Sequence, residues 1–369
     1  MRARVVAVLT ALVLAAGCSS AATSGPATTG SATANSGSPT SGVRVIGQVA
    51  DGLDTPWGVA LLPGGDLLVG SRDTGTITRV AAHGGAKTEV GTVPGVAAAG
   101  EGGLLGLALS PRYGADHLLY AYLTGDQDNR IVRLPYQEQQ PSGQQLGEPT
   151  TLLTGIPKGN IHNGGRIAFG PDGMLYAGTG ESGRTGLAQD LSSLGGKILR
   201  MTLDGAPAPG NPYPGSVVYS SGHRNVQGLA WDPQGRLWAS EFGQNTWDEL
   251  NLITPGGNYG WPVVEGQAHR AGYVDPLVQW HTDQASPSGI AYSDGAIWMG
   301  ALHGVRLWRI PVDGGQVTGD PQAYFTDRYG RLRSVLADQD GTLLVSTSNT
   351  DGRGQPSADD DRILRIATH

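Results

Sequence analysis

The feature that most constrains the fold is an internal repeat, in which two apolar strand patterns flank a glycine-containing turn. The repeat is clearest in Trp57–Val69 and Arg166–Ala177, where the turn contains a proline followed by glycine. Its copies recur roughly every 50 to 60 residues, a period typical of propellers and solenoids. Six copies are found: Trp57–Val69, Leu105–Tyr122, Arg166–Ala177, Gln227–Ala239, Ser288–Met299 and Arg333–Val345.

Most copies are followed by a third strand pattern, as in Thr76–Val80 and Arg362–Ile366. One further strand pattern, Arg44–Val49, precedes the first copy, and we expect it to complete the sixth unit, because ring closure removes exposed strand edges. Helical apolar spacing is confined to Leu187–Leu194, a candidate helical loop. The sequence therefore predicts an all-β fold, a six-bladed β-propeller.

The N-terminal segment has the pattern of a secretory leader. A basic start, Met1–Arg4, precedes the apolar run Val5–Ala16, which is too short to span a bilayer. The run ends in Leu-Ala-Ala-Gly-Cys18, which resembles the lipobox of bacterial lipoproteins, and Cys18 is the only cysteine of the chain. We therefore expect lipid attachment at Cys18 and no disulfide within the chain.

The next segment, Ser19–Val43, has no charged residue and consists mostly of Ser, Thr, Gly and Ala. Such a composition predicts a flexible linker. We divide the chain into a signal peptide at 1–17, a linker at 18–43 and a propeller domain at 44–369. The lipid would hold this domain on the outer face of the cytoplasmic membrane.

Polar residues cluster just before the third and fourth repeats. The segment Gly159-Asn-Ile-His162-Asn-Gly-Gly-Arg166 places an imidazole and a guanidinium around two glycines, which allow close approach of backbone to a ligand. The segment Gly222–Gly228 carries His, Arg, Asn and Gln before the fourth repeat. Because the two clusters occupy similar places in successive repeats, we expect them to face one common cavity.

Together with Gly195–Arg200, Asp248–Asn251 and Gly256–Pro262, these segments resemble the soluble glucose and aldose sugar dehydrogenases that use pyrroloquinoline quinone (PQQ). The resemblance extends from about Leu53 to Ile366, and Gly-Gly-Asn-Tyr-Gly-Trp-Pro is its most specific part. It implies a six-bladed propeller, in agreement with the repeat count. It also implies PQQ- and Ca²⁺-dependent oxidation of the anomeric hydroxyl of aldoses to lactones, with electrons passed to an external acceptor.

The resemblance assigns roles to residues of the two clusters. His162 matches the base that removes the hydroxyl proton, although a lone turn histidine would more often be bonded to a backbone carbonyl. Glu181 stands where the family has an aspartate near the base, and would either orient His162 or cap a turn. Arg224, Asn225 and Gln227 match positions that contact the quinone.

The resemblance also covers cofactor carboxylates and calcium. Arg331 and Arg333 alternate along a strand start, so they point to the same side, and they fit an arginine pair that binds the cofactor. The backbone carbonyls of Gly243 and Gln244 match those that bind Ca²⁺. Here the family often has proline in place of Gln244, but a backbone ligand tolerates that change.

Two further positions, both matched to cofactor-binding residues, also depart from the family pattern. His303 lies where the soluble glucose enzyme has a cofactor-binding lysine, and it is a candidate substitute. Glu101 replaces a glutamine, and its charge would repel an anionic cofactor unless it pairs with an arginine or a metal.

Two other functions stay open. A calcium-dependent lactonase-like hydrolase would need several inward carboxylates and amides, whereas arginines predominate in these motifs. A non-catalytic sugar- or partner-binding lipoprotein would explain the departures at Glu101 and His303. The formal net charge of −7 argues against a nucleic-acid partner.

Overall fold

The computed structural model describes residues 42–369. The predicted signal peptide, the lipobox and nearly all of the linker lie outside the described residues. The described part consists almost entirely of β-strands arranged in six separate sheets, one for each repeat. This arrangement confirms the predicted all-β, six-bladed propeller.

The described chain begins with β1 (Arg44–Ala50) and then forms the blades in order. Blade 1 contains β2 (Pro56–Leu61), β3 (Leu67–Ser71), β4 (Thr76–Val80) and β5 (Lys87–Thr92). Blade 2 contains β6 (Leu104–Leu109), β7 (Leu118–Thr124), β8 (Asn129–Pro135) and β9 (Thr150–Ile156). Blade 3 contains β10 (Ile167–Phe169), β11 (Leu175–Gly178), β12 (Lys197–Met201) and β13 (Val218–Ser221).

The second half of the ring repeats this order. Blade 4 contains β14 (Val226–Trp231), β15 (Leu237–Glu241), β16 (Trp247–Ile253) and β17 (Val278–His281). Blade 5 contains β18 (Pro287–Ser293), β19 (Ala296–Ala301), β20 (Arg306–Asp313), β21 (Gln316–Val317) and β22 (Gln322–Tyr324). Blade 6 contains β23 (Leu332–Ala337), β24 (Leu343–Thr347) and β25 (Ile363–Ala367), and β1 is its fourth strand.

The ring closes through the N-terminal strand, as predicted. Strand β1 pairs antiparallel with β25, with Val45 opposite Ile366. The outermost strand of blade 6 therefore comes from the start of the domain and its other three strands from the end. This arrangement fastens the first and last blades together.

Two helical turns interrupt the strands of the described residues. An α-helical turn, α1 (Tyr113–Asp116), lies in the β6–β7 connection, within the second repeat. A 3-10 helix covers Thr185–Ala188, so it overlaps only the start of the candidate helical loop at Leu187–Leu194. No helix in the described residues is long and apolar enough to cross a membrane.

The hydrophobic core lies between neighbouring blades. One buried cluster joins Leu68 and Ile77 of blade 1 to Leu104 and Val132 of blade 2, and comparable clusters follow around the ring. The innermost strands (β2, β6, β10, β14, β18 and β23) surround a central cavity of about 420 Å³. The starts of these strands meet at one end of the channel, where both polar clusters lie.

Candidate active site

A cleft lies at the end of the channel where the innermost strands begin. Five blades contribute to its lining, and blade 3 reaches it through a hydrogen bond described below. The lining residues are Trp57, Arg72, Glu101, Gln227, Phe242, Leu302, Arg331, Arg333, Asp351 and Arg353. A smaller pocket shares Phe242 with this cleft and is otherwise lined by Arg224, Glu241, Gly243, Glu249, Tyr259, Trp261, Val264 and Glu265.

His162 and Glu181 form a buried pair beside the cleft. Nδ1 of His162 lies 2.5 Å from Oε1 of Glu181, and the histidine is 9% exposed whereas the glutamate is completely buried. The short contact assigns the proton to Nδ1, which leaves the Nε2 lone pair free to accept another proton. Of the two roles open to Glu181, the structure therefore favours orientation of His162 over turn capping.

The loop that carries His162 is held in place by buried amides. The side chain of Asn163 bonds both the amide and the carbonyl of Gly159, at 3.0 and 2.8 Å. Oδ1 of Asn225 accepts the amide of Gly164 at 2.9 Å. Asn225 is fully buried and supports the histidine loop through this bond, while its Nδ2 has no partner in the described part of the chain.

The same loop crosses the Glu181 segment at very close range. A Cβ atom on Gly180 would lie 1.9 Å from the carbonyl oxygen of His162, so only glycine fits there. The His162 oxygen also accepts the amide of Ser182 at 3.0 Å. The position of the imidazole thus depends on a side-chain contact and on a backbone crossing.

Arg331 and Arg333 point to the same side, as their spacing predicts. Their Nη2 atoms lie 2.9 and 3.1 Å from the same oxygen of Asp351. Burial by itself would raise the pKa of Asp351, but the charges of Arg333 and Arg331 hold that pKa below its usual value. Arg333 also donates to Oε1 of Gln227 at 3.3 Å, which brings the predicted glutamine into the same network.

Positive charge predominates in the cleft. Its lining carries four arginines, Arg72, Arg331, Arg333 and Arg353, against two acids, Glu101 and Asp351. Burial is the main reason why the pKa of Arg333 falls to about 10, with the attraction of Asp351 acting against it. Such a cleft suits a ligand that brings several negative charges.

Glu101 has the arginine partner that its presence in an anion-binding cleft requires. Its Oε1 lies 2.8 Å from Nη2 of Arg353, and its Oε2 accepts the backbone amide of His162 at 2.9 Å. The arginine therefore balances the negative charge of Glu101, and the carboxylate also holds the histidine loop. This contact joins blade 3 to the cleft lining.

Arg224 lies in the smaller pocket with its side chain half-buried. Its Cζ stands 5.6 Å from the ring centre of Trp261, and its Nη1 donates to the carbonyl of Phe242 at 3.3 Å. Burial lowers the pKa of Arg224 despite the nearby carboxylates. Nε of Arg224 and Nε1 of Trp261 are buried without partners among the described residues, so two donors are available to a ligand.

The loop after β15 presents two backbone carbonyls. The amide of Gly243 donates to Asp248 at 2.9 Å and that of Gln244 to Glu265 at 2.7 Å. Because a trans peptide directs its carbonyl away from its amide, the Gly243 oxygen points away from Glu265. Within residues 42–369 neither carbonyl accepts a hydrogen bond. The same residues contain no group of three or more His, Cys, Asp or Glu side chains that could hold a metal ion.

His303 does not join the cleft lining. It is exposed, and its Nδ1 lies 3.1 Å from the carbonyl oxygen of Thr282, while the preceding Leu302 lines the cleft. Sequence reasoning missed several lining residues, above all Asp351 and Trp57. Trp57 opens the first repeat, so its position at a strand start was the available signal.

Sugar dehydrogenases resemble the chain both in sequence and in structure. The family model described as Glucose / Sorbosone dehydrogenase matches residues 53–364. The PQQ-bound aldose sugar dehydrogenase of Streptomyces coelicolor is 66% identical, with a TM-score of 0.87 over 88% of this chain and 97% of that one. A Thermus thermophilus structure described as a putative oxidoreductase (glucose dehydrogenase) is 43% identical, with a TM-score of 0.80 over 88% and 100%.

A curated relative agrees with the structural neighbours. The aldose sugar dehydrogenase YliI of Escherichia coli is 30% identical over 82% of this chain and 89% of its own length. The family match covers nearly the whole described propeller, and the relatives match it along most of their length. The chain therefore belongs to the glucose/sorbosone dehydrogenase family.

Proposed function

We propose that the protein is a PQQ-dependent aldose sugar dehydrogenase. The observation that carries the proposal is the His162–Glu181 pair, with a distance of 2.5 Å, next to an arginine-rich cleft. Similarity to aldose sugar dehydrogenases, one of them PQQ-bound, supports the same activity. In this proposal aldoses are oxidised at the anomeric carbon to lactones, and an external acceptor removes the electrons.

The residues of the cleft fit a polyanionic quinone. Arg331 and Arg333 provide guanidinium groups for cofactor carboxylates, and Asp351 keeps the two side chains together. Arg224 and Trp261 provide the two unpartnered buried donors. When bound, the quinone would accept two electrons from the sugar.

His162 would act as the base in this proposal. Its Nε2 removes the proton of the anomeric hydroxyl, because an alkoxide-like oxygen promotes oxidation of the carbon that bears it. Glu181 accepts the Nδ1 proton and stabilises the imidazolium that forms, as the carboxylate of a catalytic triad does. Glu101 and Asn225 act as positioning residues, since each accepts a backbone amide of the loop.

Calcium fits the backbone carbonyls of Gly243 and Gln244. Ca²⁺ prefers oxygen ligands and commonly accepts backbone carbonyls. The amide of Gln244 is fixed by Glu265, so the Gly243 carbonyl of the same peptide is pre-oriented. We include Ca²⁺ in the proposal as a cation that these two oxygens would help to hold.

The two alternative functions have less support. The calcium-dependent hydrolase would need several inward carboxylates, whereas the cleft lining carries two acids, Glu101 and Asp351, and both are paired with arginines. The binding-protein alternative rested partly on Glu101, and the pairing of Glu101 with Arg353 weakens that argument.

Reconstitution tests the proposal. The protein is titrated with PQQ in Ca²⁺ buffer, and dye reduction is followed with a panel of aldoses. We expect tight binding and sugar-dependent reduction that a chelator abolishes. Lactone hydrolysis without PQQ would favour the hydrolase, and PQQ binding with no aldose oxidation would refute the dehydrogenase.

Membrane attachment is a separate proposal that rests on the lipobox-like sequence at Cys18. Cys18→Ser should release the protein from the membrane fraction, because an unmodified polar linker gives no other hydrophobic attachment. Ser20→Ala is the matched control and should stay membrane-bound. Retention of the Cys18→Ser variant, with no lipid mass on the wild type, would exclude the anchor.

A further inference from the structure

The central channel contains a second cavity, separate from the cleft. Its volume is about 420 Å³, and it has no lining residue in common with the cleft. The walls come from all six innermost strands and consist of apolar side chains and glycine, apart from Arg166. Arg166 is therefore the one charged residue among those that line this cavity.

The contacts of Arg166 fix its position and leave one nitrogen free. Nε donates to the carbonyl of Gln227 at 2.9 Å, and Nη2 donates to Oγ of Ser334 at 3.2 Å. Its Cζ lies 4.5 Å from the ring centre of Trp57. Nη1 donates to no protein group in residues 42–369. The side chain of Arg166 lines the cavity, so Nη1 is available to a bound group.

Arg166 has no counter-charge within the described propeller. Its neighbours in the cleft are paired, since Arg331 and Arg333 contact Asp351, whereas no carboxylate forms an ion pair with Arg166. Burial, and after it the charge of Arg333, lowers the pKa of Arg166 to about 9. Arg333 lies 5.7 Å from the same Trp57 ring, so two cations meet at this end of the channel.

Arg166 is half-buried, so its charge is only partly hydrated and has no carboxylate partner, and an anion beside it would balance that charge. We propose that the channel binds a small monovalent anion at Nη1 of Arg166. A halide and a short-chain carboxylate share this chemistry, and the apolar wall would receive the tail of the carboxylate.

Bromide and butyrate are the probes, used on the wild-type chain, Arg166→Gln and Arg328→Gln. Arg328 is the matched control because it also lies over an aromatic ring, 5.5 Å from the centre of Tyr329, but is exposed. At constant ionic strength, set with the divalent salt sodium sulfate, saturating bromide should raise the melting temperature of the wild type and of Arg328→Gln by about 2 °C. Arg166→Gln should show no such rise.

Anomalous diffraction from bromide-soaked wild-type crystals locates the anion without any variant, so the test holds even if Arg166→Gln fails to fold. We expect a peak within hydrogen-bond distance of Nη1. Loss of the peak on addition of butyrate would identify a carboxylate site, and its persistence a halide site. Bromide peaks only in the arginine cleft, or an equal thermal response in Arg166→Gln, would overturn the proposal.

Discussion

The substitution Gly180→Ala, which adds one methyl group, should lower turnover much more than it lowers cofactor affinity. In Gly180→Ala the new Cβ would lie 1.9 Å from the His162 oxygen and 2.9 Å from Oδ1 of Asn225. Cβ atoms are almost never closer than 3.0 Å to another atom, so the two backbones must separate by about 1 Å. The separation acts directly on the segment that carries Glu181.

The expected effect follows from that displacement. A shift of about 1 Å breaks the 2.5 Å contact between His162 and Glu181, and misplacement on this scale costs about 10²-fold in rate. Arg331 and Arg333 belong to blade 6 and do not contact the Gly180 segment. Turnover should therefore fall about 10²-fold, and PQQ affinity should fall by less, because this segment contacts Arg224 and Asn225 but not the arginine pair.

The assay is single-turnover reduction of bound PQQ by an aldose, with cofactor affinity and melting temperature measured on the same sample. Gly186→Ala is the matched control, because it lies in the same connection and its Cβ would meet nothing within 4 Å. Wild-type turnover in folded Gly180→Ala would refute the reasoning. Equal losses of affinity and turnover would also refute it, since the damage would then extend to the cleft.

Three further changes test other parts of the site. The double change Arg331→Ala/Arg333→Ala removes two charge-assisted contacts worth about 1.5–3 kcal/mol each and leaves Asp351 without its arginine partners. PQQ affinity in a titration should therefore fall by about 10²–10⁴-fold. Unchanged affinity would place these arginines outside the binding site. Glu101→Gln removes a negative charge but keeps an acceptor for the His162 amide, so PQQ should bind at least as tightly, and clearly weaker binding would contradict this role. Burial lowers the pKa of Lys197, whose ammonium bonds three backbone carbonyls, from 10.5 to about 8. Between these two pH values the unfolded chain holds a proton on Lys197 that the folded chain has lost. The unfolding free energy of the wild type relative to Lys197→Met should therefore rise as pH rises from about 8 to 10.5. Denaturation curves that show a flat or falling difference would exclude this linkage.

The fold could be predicted from the sequence because its information is local and repeated. Apolar alternation and turn glycines specify each blade, and the spare strand at Arg44–Val49 indicated how the ring closes. The helical loop was less predictable. A 3-10 turn over Thr185–Ala188 needs little apolar periodicity, so the pattern at Leu187–Leu194 placed it a few residues late.

The candidate site was predictable only where its residues lie within one motif. The partnership of Arg353 with Glu101 joins residues far apart in the chain, and no local pattern indicated it. The role of Asp351 as the shared partner of two arginines was missed for the same reason. His303 was selected by position alone, but the direction of its side chain depends on the loop that turns it towards Thr282.

His162 is the proposed base of a sugar dehydrogenase, and His162→Gln tests that role most directly. Glutamine keeps a polar side chain near Glu181 but has no basic nitrogen. After reconstitution with PQQ and Ca²⁺, the variant should bind cofactor with near wild-type affinity and melt close to the wild type. Single-turnover reduction of the cofactor by an aldose should be slower by about 10²–10⁴-fold. Reduction at the wild-type rate in the folded, cofactor-loaded variant would contradict the account.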